Sequence, residues 1–314
     1  MASKLTLPCL LIIVAVGACD SSDRASQDTG FADRSTIKFL TYNVHQDDWS
    51  QARAQRIAAI IDAQMPDIVA FQEVGIEETE GTDGRISSVR SDLEAQLSDD
   101  FQFYFPESLD PIIVRRESTL RMVAEGSVEL FACRFPRVVN WLKFEETRTG
   151  KALVIYNTHL CPWVMPYPEG ELSAEERNQL EANELVELMA AQREPGLLQF
   201  LAGDLNAVPE SNTIQYLLYG VPLPVNDNVS PLPLVDTWAA APGNVGVKPV
   251  TTDPDLDALM PRGDMTYRDA GIVPFTLDWI IAVEQAEIEA AEVLDNEMTD
   301  GASDHFPVTA TVRL

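Results

Sequence analysis

Polar residues that can bind a cation or move a proton stand where the apolar runs of this sequence end. They are Asn43, Glu73, His159, Asp204, Asn206, Asp278, Asp304 and His305. Carboxylate and amide oxygens are hard donors that suit Mg²⁺ or Mn²⁺, and the sequence holds no Cys/His cluster with zinc-ligand spacing. Two histidines and a further aspartate then remain to bind an anionic phosphate and to activate water. If the strands share one sheet edge, these side chains converge on a hydrolytic site.

Taken singly, each of these residues also has an ordinary structural explanation. Asn43 can be a turn former and Glu73 a solvated strand end. His159 can be a hydrogen-bonded core histidine, and Asp204 can cap the segment that follows it. The recurrence of the same arrangement along the chain, rather than any one residue, favours the functional interpretation.

The elements that must position these side chains are strands alternating with helices. Apolar runs rich in β-branched and aromatic residues, such as IKFLTYNV, DIVAFQEV, SVELFACRF, KALVIYNTHL and LLQFLAGD, predict strands covered on both faces. Ser50 can cap a helix that Pro66 ends, and Ser173 with Glu176 forms a capping box for another. The fold class is therefore α/β with a large mixed-sheet core. Residues 221–274, rich in Pro and Gly, are expected to shape a substrate pocket.

The charge of the chain disfavours a polynucleotide partner. With 22 Lys and Arg against 50 Asp and Glu, the formal net charge is −28. A polyanionic surface repels phosphate backbones, although a metal ion and a few local arginines can offset this field near a site. The charge therefore argues against the hypothesis that this protein binds duplex DNA, but it does not exclude that hypothesis.

The amino terminus predicts export and lipid anchoring. Residues 1–18 combine Lys4 with a short apolar run that is too short to span a bilayer but suits a signal peptide. The run VGAC resembles a bacterial lipobox, which implies cleavage before Cys19 and lipid attachment to its thiol; an ordinary secretory signal is the alternative. Polar residues 19–36 are expected to tether the anchor to a domain at 37–314. The expected location is extracytoplasmic, on a membrane in the periplasm or at the cell surface.

Two cysteines remain for the folded part, Cys133 and Cys161. The segments RVVNWLKFE and KALVIYNTHL look like a hairpin closed by ETRTGK, which brings the residues just before Pro136 near Cys161. In an oxidising compartment the two can form a disulfide. Two buried free thiols are an equally good interpretation.

Six motifs resemble those of one known family in order and approximate spacing: TYNV, FQEV, NTHL, GDLNAVP, LDWI and SDHFPV. The resemblance is to the endonuclease/exonuclease/phosphatase family of the deoxyribonuclease I-like superfamily, and it covers about residues 37–314. It implies a four-layer α/β sandwich, in which two mixed sheets pack face to face with helices outside. It also implies Mg²⁺-dependent hydrolysis of phosphoesters.

The resemblance further implies a role for each motif residue. Glu73 would be the main metal ligand, with Asn43 and Asp304 completing the site directly or through water. The implied catalytic residues are Asp204 to deprotonate the attacking water, Asn206 to orient it, His159 and His305 to bind phosphate oxygens, and Asp278 to pair with His305. His45 departs from exonuclease III-like members, which carry Asp there; it can be a metal neighbour, a phosphate contact or a loop residue.

The sequence thus predicts a divalent-metal-dependent phosphoesterase that acts on a small or lipid-linked phosphoester and meets the membrane through its lipid anchor. A secreted nuclease with the same chemistry is the alternative, but no basic groove studded with aromatic residues is visible in the sequence. A non-catalytic surface-binding lipoprotein is less favoured because none of the motif residues is lost. The sequence leaves open the substrate, the choice between monoester and diester, and the oligomeric state.

Overall fold

The computed structural model describes residues 35–314 except 48, 163–166, 169, 243, 245–275, 296 and 300. The predicted signal peptide, Cys19 and all but the last two residues of the predicted tether lie outside the described residues, as does much of the 221–274 stretch. Among the helices in the described ranges, none is long and apolar enough to cross a membrane.

Two six-stranded mixed sheets form the centre of the fold. The strands are β1 Thr36–Asn43, β2 Ile68–Gln72, β3 Thr79–Glu80, β4 Ile86–Ser87, β5 Phe101–Tyr104, β6 Ile112–Arg115, β7 Leu120–Leu130, β8 Arg137–Glu146, β9 Ala152–His159, β10 Leu198–Asp204, β11 Leu234–Asp236, β12 Asp278–Val283, β13 Glu287–Val293 and β14 Val308–Arg313. The first sheet has the order β13-β14-β1-β2-β6-β5, and the second has the order β11-β12-β10-β9-β8-β7. Strands β3 and β4 form a separate two-stranded ribbon.

One buried core joins the two large sheets face to face. Its members come from alternate positions of the central strands, as the two-residue period of a strand requires. Phe39 of β1 packs against Phe200 of β10 with ring centroids 4.6 Å apart. Both faces of these strands are covered, which explains why the sequence shows them as nearly continuous apolar runs.

The longer helices cover the outer faces of the two sheets. The helices are α1 Gln51–Gln64, α2 Val89–Leu97, α3 Ala174–Ala191, α4 Asn212–Tyr219 and α5 Thr237–Ala240. Apolar residues of α1 and α2 share a core with the first sheet, and those of α3 and α4 share one with the second. The predicted four-layer α/β sandwich is therefore confirmed.

Local signals in the sequence placed two of the helices correctly. The Ser50 side chain caps α1 by accepting from the Arg53 N–H, and Ser173 and Glu176 form the predicted capping box of α3. Helix α1 ends at Gln64 with Met65 in the left-handed conformation at φ 49°, directly before Pro66.

The strand prediction needs correction at two of the longer strands, β7 and β13. Strand β7 begins at Leu120 and ends at Leu130, so the last residues of the predicted run SVELFACRF lie in a loop. β7 is an edge strand with many exposed side chains, which removes the continuous apolar signal. Strand β13 is absent from the sequence prediction because three of its seven residues are glutamates, which strands disfavour.

Candidate active site

The predicted functional residues meet at one edge of the two packed sheets. Parallel neighbours β1 and β2 end there with Asn43 and the residue before Glu73, and parallel neighbours β9 and β10 end there with His159 and Asp204. The antiparallel strands β12 and β14 begin at the same edge, so Asp278 lies opposite Asp204 in the register. Strand direction alone therefore brings together side chains that are far apart in the sequence.

Asp204 is the centre of this cluster. Its Oδ2 accepts a hydrogen bond from Asn43 Nδ2 at 3.0 Å, and it lies 3.5 Å from His159 Nε2 and 3.8 Å from His305 Nε2. Its Oδ1 accepts from the backbone N–H of Asn206 at 2.9 Å. One carboxylate thus accepts hydrogen bonds from Asn43 and from the Asn206 N–H, and it lies within 4 Å of a ring nitrogen of both histidines.

The residue before Asp204 must be glycine. Gly203 has φ 150°, and a Cβ atom at this position would collide with the carbonyl oxygen of Thr158 on the neighbouring strand β9. Only glycine allows this close approach of the two strands. The Gly-Asp pair of the GDLN motif therefore sets how near Asp204 comes to His159.

Asp204 has the protonation behaviour of a base that works near neutral pH. Burial raises its pKa, the negative charge of Asp278 raises it further, and the result is a pKa of about 7 despite the opposing influence of His305. A carboxylate with such a pKa can accept a proton from water far better than one with an ordinary pKa near 3.9.

His305 is held as a cation by the acids around it. Its Nδ1 lies 2.7 Å from Asp278 Oδ2. Burial alone would lower the pKa of His305, but Asp278, followed by Asp204 and Asp304, outweighs burial and raises this pKa to about 10. The buried imidazolium therefore presents its Nε2–H towards Asp204 at neutral pH.

His159, whose Nε2 lies 3.5 Å from the same oxygen of Asp204, is held neutral. Burial lowers its pKa well below the usual value, and the positive charges of Arg137 and His305 lower it further. The two histidines of the cluster thus differ in charge at neutral pH: His305 is a cation, whereas His159 is a neutral imidazole that can donate or accept one hydrogen bond.

Glu73 lies next to this cluster and is held in an unusual backbone conformation. Its φ is 59°, a left-handed value that costs a non-glycine residue on the order of 1 kcal/mol or more. Its Oε1 accepts from Asn43 Nδ2 at 3.1 Å, and its Oε2 accepts from the Gln46 N–H at 3.3 Å. The side chain is half-buried, so its carboxylate borders the solvent-facing part of the site.

Asp110 accepts a hydrogen bond from the backbone of Glu73, a role that the sequence did not predict. Its Oδ1 accepts from the Glu73 N–H at 3.3 Å, and its own carbonyl oxygen accepts from Asn140 and Asn157. Burial raises the pKa of Asp110 to about 7. The only sequence feature that could have indicated this role is the position of Asp110 directly before Pro111, where strand β6 is about to begin.

The residues near Glu73 have the donor chemistry of a divalent-cation site. Asp304 supplies a second half-buried carboxylate, which lies 3.4 Å from His45 Nδ1 through its Oδ2. The amide oxygen of Asn43 accepts from the His45 N–H at 3.0 Å, while its NH₂ group faces Glu73 and Asp204. In this amide orientation Asn43 joins the two carboxylates, and the hard ligand oxygens are those of Glu73 and Asp304.

A second set of ligand atoms lies deeper in the site. One side-chain ligand atom each from Asp204, Asp278 and His305 lies within 4.8 Å of the others. The 2.7 Å contact between His305 and Asp278 already uses one donor and one acceptor of this set. A cation there would compete with that hydrogen bond, whereas a cation beside Glu73 would leave it intact.

A disulfide borders the His159 end of the cluster. Cys133 and Cys161 are bonded with their Cα atoms 5.4 Å apart, and the buried carboxylate of Glu181 accepts from the backbone N–H of both cysteines at 3.1 and 2.7 Å. Burial raises the pKa of Glu181 to about 7. The loop before β8 is thereby fastened to the chain that leaves β9.

Several solved structures share this fold at low sequence identity. An endonuclease/exonuclease/phosphatase from Bacteroides vulgatus is 18% identical with a TM-score of 0.65, covering 89% of this chain and 99% of that one. A mannosyl-6-phosphatase from Bacteroides thetaiotaomicron is 16% identical with a TM-score of 0.61, covering 88% and 99%. TDP2 from Caenorhabditis elegans is 15% identical with a TM-score of 0.58, covering 89% and 74%.

The family assignment rests on a sequence model rather than on these structural likenesses. No curated protein sequence matches the chain significantly. The model of the Endonuclease/Exonuclease/phosphatase family matches residues 40–305, a range that includes every predicted catalytic and metal-ligand residue. The chain therefore belongs to the Endonuclease/Exonuclease/phosphatase family.

Proposed function

We propose that this protein hydrolyses a small or lipid-linked phosphoester by attack of water, with Mg²⁺ or Mn²⁺ as cofactor. Family membership supports metal-dependent phosphoester hydrolysis in general. The observation that carries the finer proposal is Asp204, a buried carboxylate whose Oδ2 lies within 4 Å of both a neutral histidine and a cationic histidine. Such an arrangement separates a proton acceptor from the groups that bind a phosphoryl anion.

Glu73 and Asp304 would hold the divalent cation. Both are half-buried carboxylates at the solvent-facing side of the cluster, and oxygen donors of this kind match Mg²⁺ and Mn²⁺. When bound, the cation would polarise the phosphoryl group and neutralise part of its charge. Asn43 would keep Glu73 and Asp204 at a fixed separation by donating to both.

The remaining residues divide the chemistry among them. Asp204 takes the proton of the attacking water at Oδ2 while the Asn206 N–H holds Oδ1 in place. His305 donates from Nε2 to a phosphoryl oxygen as negative charge builds, and Asp278 keeps that imidazole protonated and oriented. A bond forms between the water oxygen and phosphorus while the bond from phosphorus to the ester oxygen breaks, and the ester oxygen leaves with that electron pair and takes a proton from solvent water to become the alcohol.

The choice of a compact substrate rests on charge. A polynucleotide gains binding energy by neutralising many phosphates along an extended positive track, whereas this chain carries a formal net charge of −28. A single phosphoester needs only the groups of the site itself. In support of this choice, the same fold is found in a protein named a mannosyl-6-phosphatase.

We propose an extracytoplasmic, membrane-anchored setting for this activity. The proposal rests on the apolar run in residues 1–18 and the lipobox-like VGAC that ends at Cys19. Labelling of cells with a fatty-acid analogue should mark the wild-type protein and leave Cys19→Ala unlabelled. Equal labelling of both would refute the anchor.

A panel assay with Mg²⁺ tests the proposed activity. It compares p-nitrophenyl phosphate, bis-p-nitrophenyl phosphate, sphingomyelin, inositol phosphates and plasmid DNA at physiological salt. The expected result is a kcat/KM for one of the small or lipid phosphoesters well above that for DNA. If DNA is degraded at nanomolar enzyme while every other compound is inert, a nuclease function replaces the proposal.

A further inference from the structure

We propose that Arg137 binds an anionic oxygen of the substrate's phosphoryl group beside His159 and thereby favours phosphomonoesters over phosphodiesters. The inference rests on the proposed function and extends it, because it selects between two substrate classes that the rest of the site does not separate. None of the six family-like motifs includes Arg137, which the sequence placed only as the first residue of the predicted strand RVVNWLKFE.

The sheet register places Arg137 at the edge where the site lies. It is the first residue of β8, and β8 runs antiparallel to β9 with Val139 opposite Thr158. When this register is extended by two residues towards the start of β8, Arg137 lies opposite Leu160, the residue that follows His159. The disulfide from Cys133 fixes the loop that leads into this position.

Arg137 lacks the partners that other partly buried arginines have. Its Nε is buried without a hydrogen-bond partner, and no acid among the described residues lies within ion-pair distance of its guanidinium. By contrast, Arg115 pairs with Asp67 at 2.6 Å and Arg90 with Glu94 at 2.7 Å. A half-buried guanidinium left unpaired in a chain with 50 acidic residues is suited to an anion that comes from outside the chain.

The charge of Arg137 reaches the reacting centre. It lowers the pKa of His159, after the larger effect of burial, and it also opposes the effect of burial on the pKa of Asp110 and Glu181. The positive charge therefore lies among these three groups, next to the neutral His159. The second positive charge of the site belongs to His305, whose Nε2 lies 3.8 Å from Asp204 Oδ2.

The site needs positive charge at this position to accept a phosphomonoester. Carboxyl groups surround the centre and repel a phosphoryl dianion: Glu73, Asp110, Asp204, Asp278 and Asp304. A phosphomonoester carries one more anionic oxygen than a diester, so it gains one more charge-assisted contact from a guanidinium. Arg137 would supply that contact on the His159 side.

Inorganic phosphate is the probe for the binding test, since it can be measured without turnover. Isothermal titration calorimetry in Mg²⁺ buffer compares wild type, R137Q and R121Q. Arg121 is the matched control because it lies on the neighbouring strand β7 and pairs with Glu145, away from the site. We expect R137Q to bind phosphate about tenfold or more weakly, since hydrogen bonds to charged groups are of that strength, and R121Q to bind as wild type does.

Kinetics with two esters separates the substrate classes. R137Q should lower kcat/KM for p-nitrophenyl phosphate by about tenfold relative to bis-p-nitrophenyl phosphate, because only the monoester loses its additional contact. If R137Q fails to fold by circular dichroism, R137M takes its place, since it keeps the buried stem of the side chain without the charge.

The two proposals fail in different ways. Unchanged phosphate binding and an unchanged ratio of the two esters in a folded Arg137 variant would overturn the inference and leave the proposed function standing. A wild-type protein that hydrolyses neither ester nor any other compound of the panel would overturn the proposed function, while the calorimetry would still decide whether Arg137 binds phosphate.

Discussion

Replacing Asp278 with asparagine tests whether the carboxylate keeps His305 positively charged. Asparagine preserves the size of the side chain and an oxygen that can accept from His305 Nδ1, now 2.7 Å from Asp278 Oδ2. It removes only the negative charge. The substitution therefore separates the electrostatic contribution of Asp278 from its contribution to the orientation of the ring.

The structure sets the size of the expected effect. The pKa of His305 is raised from 6.5 to about 10, although burial pulls it down, and Asp278 is the largest of the charges that raise it. The net preference for the imidazolium is on the order of 5 kcal/mol. Loss of the nearest opposite charge should lower the pKa of His305 by about two units or more.

A histidine NMR titration of metal-free protein measures this pKa directly. The chain has three histidines, so the imidazole signals can be assigned with His45→Ala and His159→Ala. In wild type, His305 should stay protonated through pH 8, and in Asp278→Asn it should titrate at clearly lower pH. With Mg²⁺ restored, kcat should fall by about 10² or more in Asp278→Asn, since the charge on the phosphoryl group is then less well compensated.

The same pair should govern part of the pH dependence of stability. Because the folded-state pKa of His305 lies above its unfolded value of about 6.5, the pair stabilises the fold fully below that pH and loses its contribution as the pH rises through about 10. The difference in the free energy of unfolding between wild type and Asp278→Asn should therefore shrink over this range. Exposed Asp99→Asn serves as the control. A His305 that titrates at the same pH in both proteins would refute the reasoning.

Three further predictions concern the base, the metal side and the disulfide. Asp204→Asn should retain its circular dichroism spectrum and lose about 10² or more in kcat, and near-normal turnover would mean that another residue is the base. Asp110→Ala should weaken Mn²⁺ binding in an electron paramagnetic resonance titration, because the Glu73 N–H loses its acceptor, whereas Asp110→Asn should restore it; equal affinity in all forms would remove this positioning role. Mass spectrometry of non-reduced peptides should find Cys133 linked to Cys161, and reduction should cost about 3.5 kcal/mol of stability for a separation of 28 residues; two free thiols would contradict this.

The sheet cores and the convergence of the site residues followed from the sequence for a physical reason. Strands buried on both faces appear as continuous apolar runs, so the polar residue at each end is easy to recognise. Parallel pairing of β1 with β2 and of β9 with β10 then places Asn43, His159 and Asp204 at one edge. Their proximity is a property of the fold, while their catalytic roles stay predictions.

Residues that act through long-range contacts were not predictable from the chain. Asp110 reaches Glu73 from 37 positions away, and nothing around LDP in the sequence distinguishes it from a turn former. Arg137 can be recognised as a candidate only from the structure, which shows that its buried Nε has no hydrogen-bond partner. The different charge states of His159 and His305 likewise depend on burial and on neighbouring charges that only the folded chain specifies.

The edges of the sheets were the weakest part of the fold prediction. Strand β13 carries acidic side chains on its exposed face, and β7 alternates exposed and half-buried residues along most of its length. Edge strands receive less burial energy per residue, so their sequences are freer to carry charge. The apolar periodicity that identifies central strands is therefore diluted there.

Phosphoester hydrolysis by metal-depleted protein, measured before and after addition of Mg²⁺ or Mn²⁺, tests the central claim most directly. We predict no turnover in chelator, recovery with either cation, and a higher cation requirement for Glu73→Gln at an unchanged melting temperature of the metal-free protein. Hydrolysis that continues undiminished in chelator would contradict the proposed mechanism.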